Sequence, residues 1–403
     1  MNKTSGRIAA VTLSFCVFLS IHASIYASGP IPPISEGFGS EGPYPVTMME
    51  IAHPLWNLRK VTIYAPENGT TPAPVILFAH GYTGTNHEYY SHLLKNLASN
   101  GYHVIFAPAN PLVGIPEQYD MYIQGFATGL EELGNSVDTT RIGFMGHSFG
   151  GGFVPRIAWL YLVEKNWGGS GSFLFPMAPW YSYEISEEQI AQFPDNTALV
   201  MQIYDSDTIN DHRMAIDVYN SVNISDDKKN FLVLYDDTLG GYRYSADHSV
   251  PTGESVPGRE ENALDYYGVL KIADALCAWS FRGDTAGKRV ALGAGSPEQT
   301  FMGVTAEGDS LRAMKSLSEP VASHPESWYL FPWSGELNPR KELSGCKHPA
   351  PAILPVKQSP VYEKFISLNV QFIPGTSFLL NGRRVPDYRA EKNTVLFLTG
   401  RIK

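Results

Sequence analysis

The chain has 403 residues, 43% of them hydrophobic, and a formal net charge of −10 at pH 7. That much apolar material suffices for one large packed core with an appendage, which excludes a disordered chain. The acidic balance argues against nucleic acid and anionic membrane surfaces as partners.

At the start, Lys3 and Arg7 precede an apolar run over 8–21 and small residues ending at Ala27. This is the pattern of a secretory signal peptide, residues 1–27, cleaved after Ala27. A membrane anchor is the alternative, but Ser14, Ser20, His22 and Ser24 interrupt the uncharged stretch and no stop-transfer pattern follows. The expected mature protein is therefore secreted or periplasmic, with no integral membrane segment. Cys16 leaves with the leader, so Cys277 and Cys346 are the remaining cysteines. In an oxidising compartment they can pair, and two separate buried thiols are the alternative.

After a short N-terminal segment, 28–44, a catalytic domain is expected over 45–282. Strand-like runs at 60–64, 74–79, 103–107, 141–146, 197–203 and 231–235 are near-continuously apolar, and helical stretches at 87–99, 116–133 and 263–281 fall between or after them. Apolar strands separated by amphipathic helices predict an α/β fold, a mostly parallel, doubly wound sheet with helices on both faces.

Within that series, the stretch from Arg141 to Gly152 carries Gly146-His147-Ser148-Phe149-Gly150 between an apolar strand and a glycine-rich helix start. A serine hydroxyl attacks carbonyl carbon poorly unless it is held at a sharp strand-to-helix turn, and the flanking glycines let the backbone approach itself there. Ser148 is the candidate nucleophile. The helix beginning at Phe149 would aim its first N–H groups and positive dipole end at an oxyanion.

Between Trp180 and Pro194 there is room for one short helix, capped by Ser186-Glu187-Glu188-Gln189, and for no large lid, so the site is expected to stay open to solvent. Beyond Gly283 the composition shifts. Residues 283–348, with the aromatic cluster Trp328-Tyr329-Leu330-Phe331-Pro332-Trp333, are read as an extension packed on the core. A proline-rich linker, 349–361, then leads to a small β module or tail, 362–403, in which Asn381-Gly382 has the composition of a tight hairpin turn.

A nucleophilic serine needs a base, and the base needs an acid to fix its tautomer; on a doubly wound sheet these follow later strands in the order Ser, acid, His. Of the histidines beyond the serine, His248 lies after the strand at 231–235 and before the last core helix, where the base belongs. His212 follows the preceding strand too closely. The acid falls in Asp205-Ser206-Asp207, with Asp207 preferred and Asp205 as the rival. For the oxyanion, the amide of Phe149 and that of Tyr82, in the turn His80-Gly81-Tyr82-Thr83-Gly84, are the expected donors. The ring of Tyr82 is expected to line the acyl pocket.

These residues resemble the α/β-hydrolases. The run 74–82, the approach 137–143, the elbow at 146–151 and Asp205-Ser206-Asp207-Thr208-Ile209 are closest to the group that spans dienelactone-hydrolase-like esterases, chlorophyllases, platelet-activating-factor acetylhydrolase-like enzymes and bacterial cutinase-like polyester hydrolases. The resemblance covers about 42–283. It implies Ser148, Asp207 and His248 as a triad and Tyr82 and Phe149 as oxyanion donors. Ala178-Pro179-Trp180 is similar to the run that gives the polyester hydrolases an aromatic wall, which implies Trp180 as a substrate-binding residue; a core tryptophan is the alternative. Phe149 stands where those enzymes usually carry methionine, and Pro155 falls in the helix after the elbow. The implied activity is that of an exported serine ester hydrolase acting on a small-molecule, lipid or polyester ester, with neither cofactor nor metal. A serine peptidase on the same fold, and a non-catalytic binding or adhesion protein with a hydrolase-like core, are the rival readings.

Overall fold

The computed structural model describes residues 29–343 together with 379–380 and 383–384. The expected signal peptide, Cys346, the proline-rich linker and most of the C-terminal module lie outside the described residues.

Nine of the described strands build one sheet. Eight come in sequence: β1 (Val46–Ala52), β2 (Lys60–Pro66), β3 (Ala73–Ala79), β4 (His103–Ala107), β5 (Val137–His147), β6 (Gly171–Met177), β7 (Thr197–Tyr204) and β8 (Lys229–Leu234). A small hairpin, β9 (Asp237–Leu239) and β10 (Tyr242–Tyr244), precedes the ninth, β11 (Lys315–Leu317). The spatial order is β1-β2-β4-β3-β5-β6-β7-β8-β11. The six strands from β4 to β8 run parallel; β2 pairs antiparallel with β1 and β4, and β11 antiparallel with β8. This is the mostly parallel sheet that the apolar strand runs predicted.

The parallel strands read as apolar runs because both faces are covered. Ile76 and Phe78 face one core with Leu93, Leu97 and Ile272, while Val75 and Leu77 face the other with Tyr122, Phe153 and Ile157. Successive residues of a strand point to opposite faces, so a strand buried twice has no polar alternation to show. The first face carries α1 (Ser91–Ser99); the second carries α2 (Ile115–Leu133) and α3 (Phe149–Trp159). One feature differs from the sequence expectation. β1 and β6 join the sheet unannounced, β1 because its side chains are largely exposed at the edge and β6 because Gly171 and Pro176 break its strand signature. Pro155 does not stop α3, which runs on to Trp159.

Short α4 (Glu187–Ile190) carries the capping box of Ser186 and Gln189, α5 (Arg213–Ser221) follows β7, and α6 (Lys271–Arg282) continues a π-helical turn over Leu264–Leu270. Cys277 is fully buried in α6. Residues beyond it add α7 (Thr285–Ala291) and α8 (Pro297–Thr300). This segment is pinned to the core by Lys271, whose Nζ donates to the carbonyls of Glu298, Gln299 and Phe301. Farther along the chain, β12 (Leu379–Leu380) and β13 (Arg383–Arg384) pair antiparallel, Leu380 with Arg383, with two residues between them.

Candidate active site

β3, β5, β7 and β8 all end at the carboxyl edge of the parallel sheet, where loops can converge over a single point. At the end of β5, Ser148 has φ 55° and ψ −117°, a positive φ that serine rarely adopts. The turn is held from all sides: Ser148 N donates to Met177 O (2.9 Å), and the Ser148 carbonyl accepts from Trp180 N (2.8 Å) and Gly152 N (3.0 Å). Glycine is required on both flanks, since a Cβ on Gly146 would collide with the Gly150 carbonyl and one on Gly150 with the Ala79 carbonyl.

The Ser148 Oγ lies 2.8 Å from His248 Nε2, and His248 Nδ1 lies 2.7 Å from Asp207 Oδ2. The other oxygen, Asp207 Oδ1, accepts from the amides of Ile209 (2.7 Å) and Asn210 (3.2 Å). Burial pushes the Asp207 carboxyl up, but the His248 ring and the bonds from His248 and Ile209 outweigh it and hold the group below its ordinary value. An ionised carboxylate only accepts, so Nδ1 of His248 carries the proton and Nε2 is left to accept from the serine hydroxyl. Asp205 makes no bond to His248; its carbonyl accepts from His324 Nε2 at 2.8 Å.

Across from the elbow, the turn after β3 is joined to it by Gly150 N donating to His80 O at 3.0 Å. The two turns also meet through side chains, the rings of Tyr82 and Phe149 lying 6.1 Å apart in a T-shaped contact. The Tyr82 hydroxyl donates to Pro111 O (2.7 Å), which fixes the ring. His80 is structural: its Nε2 accepts from Ala109 N (2.9 Å), so Nδ1 carries the proton and donates to Gly81 O (2.7 Å). Burial lowers its pKa to about 4, keeping it neutral.

Residues 20–251, more than half of the chain, match the PET hydrolase-like (PETase) family. The chain belongs to this family. Comparison with curated proteins gives no match. Membership makes this PET hydrolase-like protein an ester hydrolase of the α/β-hydrolase superfamily, in keeping with the sheet order and the elbow.

The PET hydrolase-like site also contains groups that the sequence did not single out. His147 Nε2 donates to the carbonyl of His248 (2.8 Å), so Nδ1 of the neutral ring accepts from the Tyr90 hydroxyl (3.0 Å), whose oxygen in turn accepts from Gly81 N (2.9 Å). One buried chain of hydrogen bonds thus links the turn bearing Tyr82 to the backbone of His248. Burial, reinforced by the nearby His248, lowers the pKa of His147 to about 3, so the relay keeps one tautomer. Asn210 is the second such group. Its Nδ2 donates to Ala178 O (2.9 Å) and reaches Ser148 Oγ at 3.4 Å. Nothing in the local sequence marks either residue; only the folded sheet brings Tyr90 and Asn210 to the serine.

Trp180 forms a wall beside the elbow, with Phe149 at 5.7 Å, Tyr183 stacked at 5.6 Å and Phe331 edge-on at 5.5 Å. His212 is buried beneath the acid loop and bonds Tyr204 O through Nε2 (3.0 Å), away from the serine. The loop following His248 is anchored by Arg259, which donates to Val250 O (2.9 Å) and Thr252 O (3.0 Å) and pairs with the buried Asp265 (3.0 Å). Among the described residues, no group of three or more His, Cys, Asp or Glu side chains is placed to hold a metal ion.

Proposed function

We propose that the protein is an exported serine carboxylic-ester hydrolase that works through an acyl-enzyme. The observation that carries this reading is the unbroken line from Ser148 Oγ through His248 to Asp207, at 2.8 and 2.7 Å, on a serine held at positive φ. Ser148 Oγ attacks the ester carbonyl carbon while His248 Nε2 takes its proton, and Asp207 stabilises the imidazolium that forms. The tetrahedral oxyanion is received by the amides of Tyr82 and Phe149, helped by the N-terminal end of α3. The protonated His248 then passes its proton to the departing alkoxide, and the neutral ring activates the water that hydrolyses the acyl-enzyme. Trp180 and the ring of Tyr82 bind the acyl group beside the serine. Export follows from the basic, apolar and small-residue order of residues 1–27. No helix among the described residues is long and apolar enough to cross a membrane.

The test is mass spectrometry after a fluorophosphonate, run beside turnover of p-nitrophenyl esters from acetate to longer chains and of a p-nitroanilide. A single adduct on Ser148 with ester turnover is expected, and Ser148→Ala should lose the adduct and at least about 10⁴-fold in kcat. Full turnover by folded Ser148→Ala overturns the mechanism. Preference for the anilide replaces the esterase reading with a peptidase, and absence of an adduct on folded wild-type protein favours a binding protein.

A further inference from the structure

The family match ends at residue 251, yet the loop that carries Asp207 is held along its length by a segment far downstream. Residues 324–333 lie against it as a strap. His324 Nε2 donates to Asp205 O (2.8 Å) and Trp328 Nε1 to Asp207 O (3.0 Å). The backbone continues the contact: Leu330 N to Thr208 O (2.8 Å), Phe331 N to Ile209 O (2.8 Å) and Asp211 N to Phe331 O (3.1 Å). Trp333 N closes it on Asp211 Oδ2 (2.9 Å). The His324 ring stacks on Trp328 at 4.4 Å, which holds the indole in place.

These bonds reach the groups that orient the acid. The Asp207 carboxylate is cradled by the amides of Ile209 and Asn210, and the strap grips the same turn through Asp207 O, Thr208 O and Ile209 O. Phe331 also bridges Asn210, whose amide reaches Ser148 Oγ, and sets its ring edge-on to Trp180. The half-buried phenyl ring at that place extends the aromatic wall that Trp180 forms. An ordinary surface segment would bury its own backbone groups without engaging every turn of an acid loop, and displacement of a reacting group by even 1 Å costs an enzyme about 10²-fold in rate.

We propose that residues 324–333 complete the active site, with Trp328 as a positioning residue for Asp207 and Phe331 as a specificity-determining residue that contacts bulky acyl groups beside Trp180. This rests on the ester-hydrolase reading of the same site.

The experiment uses the full-length chain with Trp328→Phe, which keeps the stack on His324 and removes the N–H donor, and separately Phe331→Ala. For Trp328→Phe, kcat is expected to fall about tenfold with KM unchanged, the loss of one hydrogen bond to the acid loop. The acid limb of the kcat/KM profile should also move to lower pH, because a less well-placed carboxylate stabilises a protonated base less. A segment with only a structural role would lower Tm and leave that limb in place. For Phe331→Ala, the ratio of kcat/KM for a p-nitrophenyl benzoate over the acetate is expected to fall about tenfold, with Phe331→Leu recovering part of it. Wild-type kcat and an unmoved acid limb in Trp328→Phe overturn the positioning role, and an unchanged ratio in Phe331→Ala overturns the specificity role. Should Trp328→Phe fail to fold, kcat and the acid limb of His324→Gln, which removes the ring stacked on the indole, decide the positioning role in the same way. Absence of ester turnover in the wild type overturns the underlying reading instead, so the two failures are distinguishable.

Discussion

Around the ends of β3 and β5 the site is held by backbone fit between segments that carry their own glycines, whereas around the ends of β7 and β8 it is held by side-chain and backbone groups reaching in from later in the chain. On the first side, Gly146 and Gly150 allow Ser148 its turn, and Gly150 N bonds the neighbouring His80 carbonyl directly. On the second side, the Asp207 loop depends on Trp328 and Trp333, and the His248 loop on Arg259 and Asp265. A turn built from close backbone contacts tolerates few residue types and so leaves a motif. A loop held by hydrogen bonds from elsewhere tolerates many, and leaves none.

The largest effect that separates the two aspartates lies on the second side. Asp207→Asn should drop kcat by about 10⁴-fold, because an amide in place of the carboxylate favours the wrong tautomer of His248. Asp205→Asn should remain close to wild type, since it is the Asp205 backbone carbonyl, retained in the variant, that accepts from His324 at 2.8 Å. Ester kinetics on both variants check this. Equal losses would mean that the loop acts as a unit and that its two carboxylates cannot be told apart by contact with His248.

The same contrast governs what the sequence revealed. The parallel sheet was legible because strands buried on both faces are continuous apolar runs, and the edge strand β1 was not, because its exposed residues lack that signature. Ser148 stood out through its glycines. Asp207 and His248 could be placed only by strand order, which left Asp205 open until the 2.7 Å approach of Asp207 Oδ2 to His248 Nδ1 was seen. The aromatic cluster at 328–333 was visible as composition, but its partner was not: a tryptophan N–H that serves a carbonyl more than a hundred residues away has no local correlate. Tyr90 and Asn210 were silent for the same reason.

Tyr90→Phe probes a buried bridge between the two sides. It removes the acceptor for Gly81 N and the donor to His147 Nδ1 together. Leaving buried polar groups unpaired costs about 1–3 kcal/mol, so a comparable loss of stability is expected by calorimetry, with kcat lower by about 10–100-fold and KM little changed. Stability lost without any fall in kcat would show that the turn after β3 and the His248 backbone hold their positions independently, and the contrast between the two sides would then be complete.

The smallest effect is the most specific to this bridge, because it depends on the charge of one ring. His147 has its pKa lowered to about 3, first by burial and then by the neighbouring His248, against an ordinary value of 6.5. Between those values the unfolded chain binds a proton that the folded protein refuses, so the stability contributed by His147 is fully present above pH 6.5 and is lost as the pH falls towards 3, at about 1.4 kcal/mol per pH unit at most. Glutamine at this position cannot take up that proton. His147→Gln should therefore be less stable than wild type at pH 7, through its lost bonds to Tyr90 and His248, and the deficit should shrink as the pH is lowered from 6.5 to 4. Thermal unfolding of both proteins across that range measures the difference directly and cancels the other titrating groups, among them Asp265, whose pKa burial raises to about 7 and which shifts stability in the opposite sense. A deficit that stays constant with pH would mean that His147 takes up its proton in the folded state, and the fixed tautomer that joins Tyr90 to the His248 carbonyl would have to be abandoned.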